Sequence, residues 1–189
     1  MINIRWVETN LPTQYEHCAA SLQQIKQWSA IKLFYRQHMA YARVSSKESV
    51  AVIYQEDVKA LDTANPQALP HNEVNSTITS GREGLESREI IAAVRIKHVG
   101  QYQLISGLLV APHLRGKKLA TQLLQFIAPT LIPQKCFLFT DISLQALYQQ
   151  QQQFQWLQPA HIAQVPAEIM QLYQRYHSES RPLIIMQLP

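Results

Sequence analysis

Cysteine is nearly absent from this chain. Cys18 and Cys136 are the only two in 189 residues. They form neither a metal-type spacing nor a disulfide framework, so both are expected to be small core residues of a reduced, cytoplasmic protein. No run of about 18 apolar residues occurs, which excludes a membrane-spanning helix. The opening MINIRWVETN has an apolar run too short and too interrupted by charge to be expected to act as a signal peptide. Charged residues make up only 16% against 47% hydrophobic, which excludes a disordered chain and predicts one globular domain over 1–189 with a substantial core. No internal repeat is found. A G-x-x-x-x-G-K-[ST] phosphate loop is also missing. So is the interleaving of basic and aromatic residues that marks a nucleic-acid surface, and a net charge of +4 does not replace it.

The charge that is present is uneven. Seven of the 13 acidic residues fall between Glu56 and Glu89, against Lys59, Arg82 and Arg88. Residues 56–88 are polar, carry Pro66, Pro70, Gly81 and Gly84, and read as one long acidic loop. A connection of that length is unusual and commonly binds or covers something. An acidic loop beside a basic body would suit a cationic substrate and an anionic cofactor, or be an ordinary solvated surface.

Hydrophobic periodicity supplies the elements. Strands are predicted at 2–7, 49–54, 89–99, 102–110, 135–140 and 183–188, with Gly100-Gln101 as a hairpin turn. Helices are predicted from about 11 to 28, with Cys18, Leu22 and Ile25 on one face, then at 31–39, 117–128, 144–154 and 166–177. Five glutamines, Gln149 to Gln153, fall on one of them and read as a helical face. The order is that of an α/β protein, antiparallel first and with a crossover later.

One stretch carries chemistry. VAPHLRGKKLATQLL, residues 110–124, joins the end of a strand to an amphipathic helix and places Arg115, Lys117 and Lys118 at the helix mouth. Cations there oppose the helix dipole. They make sense if an anion sits on the turn, where the first main-chain N–H groups lack internal partners. Gly116 allows close approach of the backbone. Arg115 offers a forked contact to phosphate, and the lysines offer point charge. The alternative is a solvated basic turn.

The same residues resemble motif A of the GNAT superfamily of N-acetyltransferases, V-x-P-x-x-R-G-x-G-x-[GA]. Val110, Pro112, Arg115, Gly116 and Ala120 match, and Lys118 stands where the family has glycine. Downstream, Asp141 to Phe154 is similar to the family's N-x-x-A-x-x-[LF]-Y-x-x-x-G-F. Leu147, Tyr148 and Phe154 match; Asp141, Leu144 and Gln153 replace asparagine, alanine and glycine. The resemblance spans nearly the whole chain and identifies a divergent member. It implies a mixed, mostly antiparallel sheet with a splayed parallel strand pair, flanked by helices. It also implies acetyl-CoA as co-substrate, without a metal. The pantetheine arm would pair with Leu108, Leu109 and Val110. The turn Arg115, Gly116, Lys117, Lys118, Leu119 and Ala120 would bind the pyrophosphate, with Thr121 adding a hydroxyl and Asp141 and Tyr148 completing the site.

The implied reaction moves an acetyl group to an amine of a small molecule or protein. By resemblance Tyr148 is the general acid for the leaving thiolate, where amphipathic core packing is the plainer role. A main-chain N–H near Val110 would meet the oxyanion. For the base, Glu89 is the first candidate and Glu86 the next, although either suits a surface carboxylate; His98 and His113 are expected to be structural or solvated. The acidic loop favours a cationic acceptor. Nucleic acid and membrane are not expected as partners, and a homodimer is left open. The rival reading is a catalytically inactive CoA-binding or regulatory module of the same fold, motivated by Lys118 and Gln153.

Overall fold

The computed structural model describes residues 2–7, 18–39, 42–45, 47–55 and 89–189. The acidic segment 56–88, Glu86, and the predicted helix start at 11–17 lie outside these residues. Seven strands form one sheet: β1 (Ile2–Val7), β2 (Ser49–Gln55), β3 (Glu89–Val99), β4 (Tyr102–Val110), β5 (Cys136–Thr140), β6 (Gln155–Trp156) and β7 (Ile184–Gln187). Four helices accompany them: α1 (Cys18–His38), α2 (Leu119–Ile127), α3 (Gln145–Gln152) and α4 (Ala167–Tyr176).

The spatial order is β1-β2-β3-β4-β5-β7-β6. Neighbours are antiparallel except β4 and β5, which run parallel and are joined through α2. This is the expected mixed sheet. β3 is buried continuously from Ile90 to Ile96, as befits a strand covered on both faces.

Register fixes which helix covers which face, because opposed residues share a face. Trp6, Ala51 and Val94 are aligned across β1, β2 and β3, and Trp6 meets Phe126 of α2 with ring centroids 5.7 Å apart. α2 therefore lies on the Val94 face. α3 lies beside α2, with the Gln152 side chain donating to the Leu124 carbonyl at 2.7 Å. Arg95 points to the other face, where its guanidinium sits 4.9 Å from the ring centre of Tyr35 on α1. α4 covers that second face too, packing Ile169 and Leu172 on Leu104, Phe137 and Ile185.

Several predicted boundaries need correction. The break expected between two N-terminal helices does not exist: α1 runs unbroken to His38, since nothing near Ser29-Ala30 stops a helix and its buried stripe Ile31, Phe34 and Tyr35 holds it to the sheet. Ile25 falls off that stripe and is 50% exposed. α2 begins at Leu119 rather than at 117, and α3 ends at Gln152 rather than at 154. Lys118 and Gln153 are both left-handed, with φ of 59° and 58°, and such residues cannot continue a right-handed helix. The short β6 was not foreseen; two residues carry too little pattern to be read.

Candidate functional site

β4 and β5 stay paired for only three steps, Gln103–Cys136, Leu104–Phe137 and Ile105–Leu138. Both strands continue, but apart. The cause is a bulge in β4. Against β3, Arg95 is opposite Ser106 and Ala93 is opposite Leu109, so β4 spends three residues where β3 spends two. Gly107 takes the left-handed turn at φ +59°, and a Cβ there would fall 2.6 Å from Arg95 Nε. Only glycine meets both demands. The carbonyl of Gly107 is held by the Tyr35 hydroxyl at 2.7 Å.

Beyond Ile105, therefore, no strand of the described residues covers β4 on the β5 side. Leu108, Leu109 and Val110 lie on this open length, with Leu109 buried and the other two half-buried. An exposed edge of this kind can accept an extended chain as an added strand.

Past the open edge the chain reaches the cationic turn. Arg115, Gly116, Lys117 and Lys118 are exposed, while Leu119 is buried and Ala120 and Thr121 are half-buried. No side chain caps α2. Gln122 donates to the Lys118 carbonyl, which leaves the first-turn N–H groups of Leu119, Ala120 and Thr121 without a carbonyl inside the helix. Among the described residues the one ion pair is elsewhere, so no carboxylate of those residues balances the three cations. Gly116, with φ +80° and no heavy atom within 4 Å of a notional Cβ, leaves the mouth of the turn open. Lys118 keeps the left-handed conformation that makes glycine usual at its position.

Tyr148 stands at the same end of the sheet. Its side chain is buried on α3, 6.4 Å edge-on from Phe154 by ring centres. Burial pushes its phenol up to about 12, against a hydrogen bond with the Thr140 side chain that pulls the other way. Thr140 is two residues past the last β4–β5 pair, so the phenol borders the part of β5 that has left β4. Asp141 is exposed; its Oδ1 accepts from the Ser143 N–H at 2.8 Å, a bond to the charged form that holds its carboxyl below the usual carboxylate range. Glu89 is exposed at the start of β3, opposite Gln55, and shares Val110's end of the sheet. His98 and His113 are exposed.

On the opposite face, the divergence of β4 and β5 opens into a cleft of about 340 Å³. Ser106 and Gly107 of β4 and Phe139 of β5 line it, together with Met39, Arg43, Glu48, Arg95, Lys97 and Arg181. Glu89 is not part of this lining. Arg95 is buried and Glu48 equally so; Arg95 Nη1 donates to Glu48 Oε2 and to the Arg43 carbonyl, both at 3.0 Å. Sequence reasoning missed Gly107, Arg95, Glu48, Arg43 and Arg181. Two signals were available: a lone glycine and a lone arginine inside otherwise apolar strand runs, which suggest a bulge and a paired buried charge.

No model of a known protein family matches the sequence, and no curated protein matches it. Solved structures do. The chain is similar to ElaA of Escherichia coli, with a TM-score of 0.54 at 16% identity over 100% of both chains. It is similar to a putative N-acetyltransferase from Lactobacillus plantarum, with 0.51 at 11% identity over 99% of this chain and 97% of the other. It is also similar to an acetyltransferase of the GNAT family from Staphylococcus aureus, with 0.50 at 10% identity over 100% and 98%. The splayed parallel pair, the helices on both faces and these likenesses agree: the chain has the GNAT fold, written in a divergent sequence.

Proposed function

We propose that the protein is an acetyl-CoA-dependent N-acetyltransferase, transferring directly to an amine and using no metal. One observation carries the reading: an uncapped, cationic helix mouth stands at the open end of a splayed strand pair, with a buried phenol beside the splay. The residues fit the coenzyme. Arg115, Lys117, Lys118 and the N–H groups of Leu119 to Thr121 suit its pyrophosphate. The uncovered edge from Leu108 to Val110 suits an amide-bearing arm. When bound there, the coenzyme supplies an activated acetyl thioester.

The chain's own residues have two tasks. A lysine-like amine is neutral in only about one molecule in 10³ at pH 7, a cost on the order of 4 kcal/mol, so the site must favour the neutral form or take its proton. Glu89 is proposed for that proton, as the exposed carboxylate at Val110's end of the sheet; Glu48 is committed to Arg95. The other task is protonating a departing thiolate whose conjugate thiol resembles cysteine, at about 8.5. Tyr148 is proposed as that acid. Burial pushes it up to about 12, which keeps it protonated across the working range but makes it a weaker acid than the thiol, so the proton must move as the C–S bond breaks. A main-chain N–H near Val110 would steady the oxyanion. Asp141 and Thr121 are proposed as peripheral contacts to the coenzyme.

The inactive-module reading rested on the two missing glycines. Lys118 and Gln153 hold the left-handed geometry nonetheless, so the backbone shape that glycine would give is kept at both positions, and an activity test separates the two readings. The test is thiol release with a panel of amines, for the native chain and for Tyr148→Phe. Turnover is expected to fall about 10²-fold or more, in the range of general-acid catalysis, while acetyl-CoA affinity changes little. Undiminished turnover would overturn the assignment of Tyr148. Flat acetyl-CoA titrations would overturn the function.

A further inference from the structure

Resting on the acetyltransferase reading, we infer that the acceptor is a small amine that itself carries an oxyanion, a carboxylate or a phosphate, gripped by the cations of the cleft on the α1–α4 face. The cleft opens where β4 and β5 part, with Ser106 and Phe139 on its floor. An amine seated there faces the same gap that the cationic turn approaches from the other side. The two substrates would meet across the sheet without competing for surface.

The sign of the lining decides the class. Among the described residues four cations border the cleft, Arg43, Arg95, Lys97 and Arg181, against the single carboxylate of Glu48. That carboxylate is spent on Arg95 at 3.0 Å. No carboxylate of the described residues pairs with the other three. Like charges held around one concavity repel one another and concentrate anions within it. They also disfavour a cationic acceptor, the opposite of what the acidic 56–88 segment suggested. The size, about 340 Å³, is that of a small-molecule site.

Arg95 plays a different part from the other three. Its Nη1 bonds Glu48 and the main chain of Arg43, its Cζ lies over the Tyr35 ring, and its Nε is buried without a partner among the described residues. It is a positioning residue that fastens the Arg43 segment to the sheet. Arg43 and Arg181 are exposed and Lys97 half-buried, so among the described residues these are the cations placed to grip an anion.

The experiment compares matched amines: amino acids against their amides, and aminoalkyl phosphates against the corresponding amino alcohols. Two quantities are read, direct binding by calorimetry and kcat/KM by thiol release. The anionic member of each pair is expected to win by about tenfold or more, the scale of a charge-assisted hydrogen bond. Arg181→Gln and Lys97→Gln, checked by melting to be folded, are each expected to shrink that ratio several-fold, mainly through KM. The carboxylate and phosphate arms show which oxyanion fits. Equal or reversed preference in binding overturns the inference, even if acetyl transfer to neutral amines is brisk. Absent thiol release together with flat acetyl-CoA titrations overturns the acetyltransferase reading instead, and the binding arm then still decides whether the cleft selects anions.

Discussion

Two basic surfaces flank the divergence of β4 and β5, and they are built in opposite ways. The turn at 115–121 is a local object. Its cations and main-chain donors come from seven consecutive residues, the cations are exposed, and no side chain caps the helix they precede. The cleft on the other face is assembled from Arg43, Arg95, Lys97 and Arg181, drawn from both ends and the middle of the chain, around a buried ion pair. The first surface can lose a charge and stay folded. The second is partly made of the charges that hold the sheet to its surroundings.

The comparison is broken hardest at Glu48. Glu48→Gln leaves the buried Arg95 guanidinium without its counter-charge, and loss of about 3 kcal/mol or more in stability is expected by denaturant melting. A loss under about 1 kcal/mol would show that the pair is not structural. Arg115→Gln should do the reverse: weaken acetyl-CoA binding about tenfold while leaving stability within about 0.5 kcal/mol. If Arg115→Gln instead unfolds the protein, the turn is a structural feature and the contrast fails.

Buried acids sharpen the comparison further. Burial raises the Tyr148 phenol from 10.0 to about 12 and the Cys136 thiol from 9.0 to about 12. In the unfolded chain both ionise at their ordinary values, so the native state binds more protons above those values. Their stabilisation is therefore complete below about pH 9 and is lost as pH rises towards 12. Melting temperature should be insensitive to these groups between pH 6 and 8 and fall above pH 9. Cys136→Ala should blunt the first part of that fall. The smallest effect belongs to Lys118. Lys118→Gly relieves a left-handed lysine but frees the unfolded chain, for a net gain of about 0.5 kcal/mol; a loss would mean that the lysine side chain itself stabilises the turn.

Legibility in the sequence follows the same division. The hairpin strands 89–99 and 102–110 were read correctly because period and turn lie within one short window. The motif around Arg115 was visible for the same reason. α1 was read as two helices because its buried stripe is weakly patterned, and only contact with the sheet selects Ile31, Phe34 and Tyr35 over Ile25. Glu89 entered as a base on its position along a strand, while the carboxylate that lines the cleft, Glu48, stood in no recognisable pattern.

By itself the sequence determined the six longer strands, helices α2 to α4, the cationic helix mouth and the tyrosine on α3. Each depends on residues close together in the chain, whose side chains face one way by helical or strand geometry. The tertiary structure alone decided where β4 leaves β5, that Gly107 makes room for Arg95, and which sign of charge lines the cleft among the described residues. Those outcomes depend on residues brought together across dozens of positions, and only the register of a folded sheet can set them side by side.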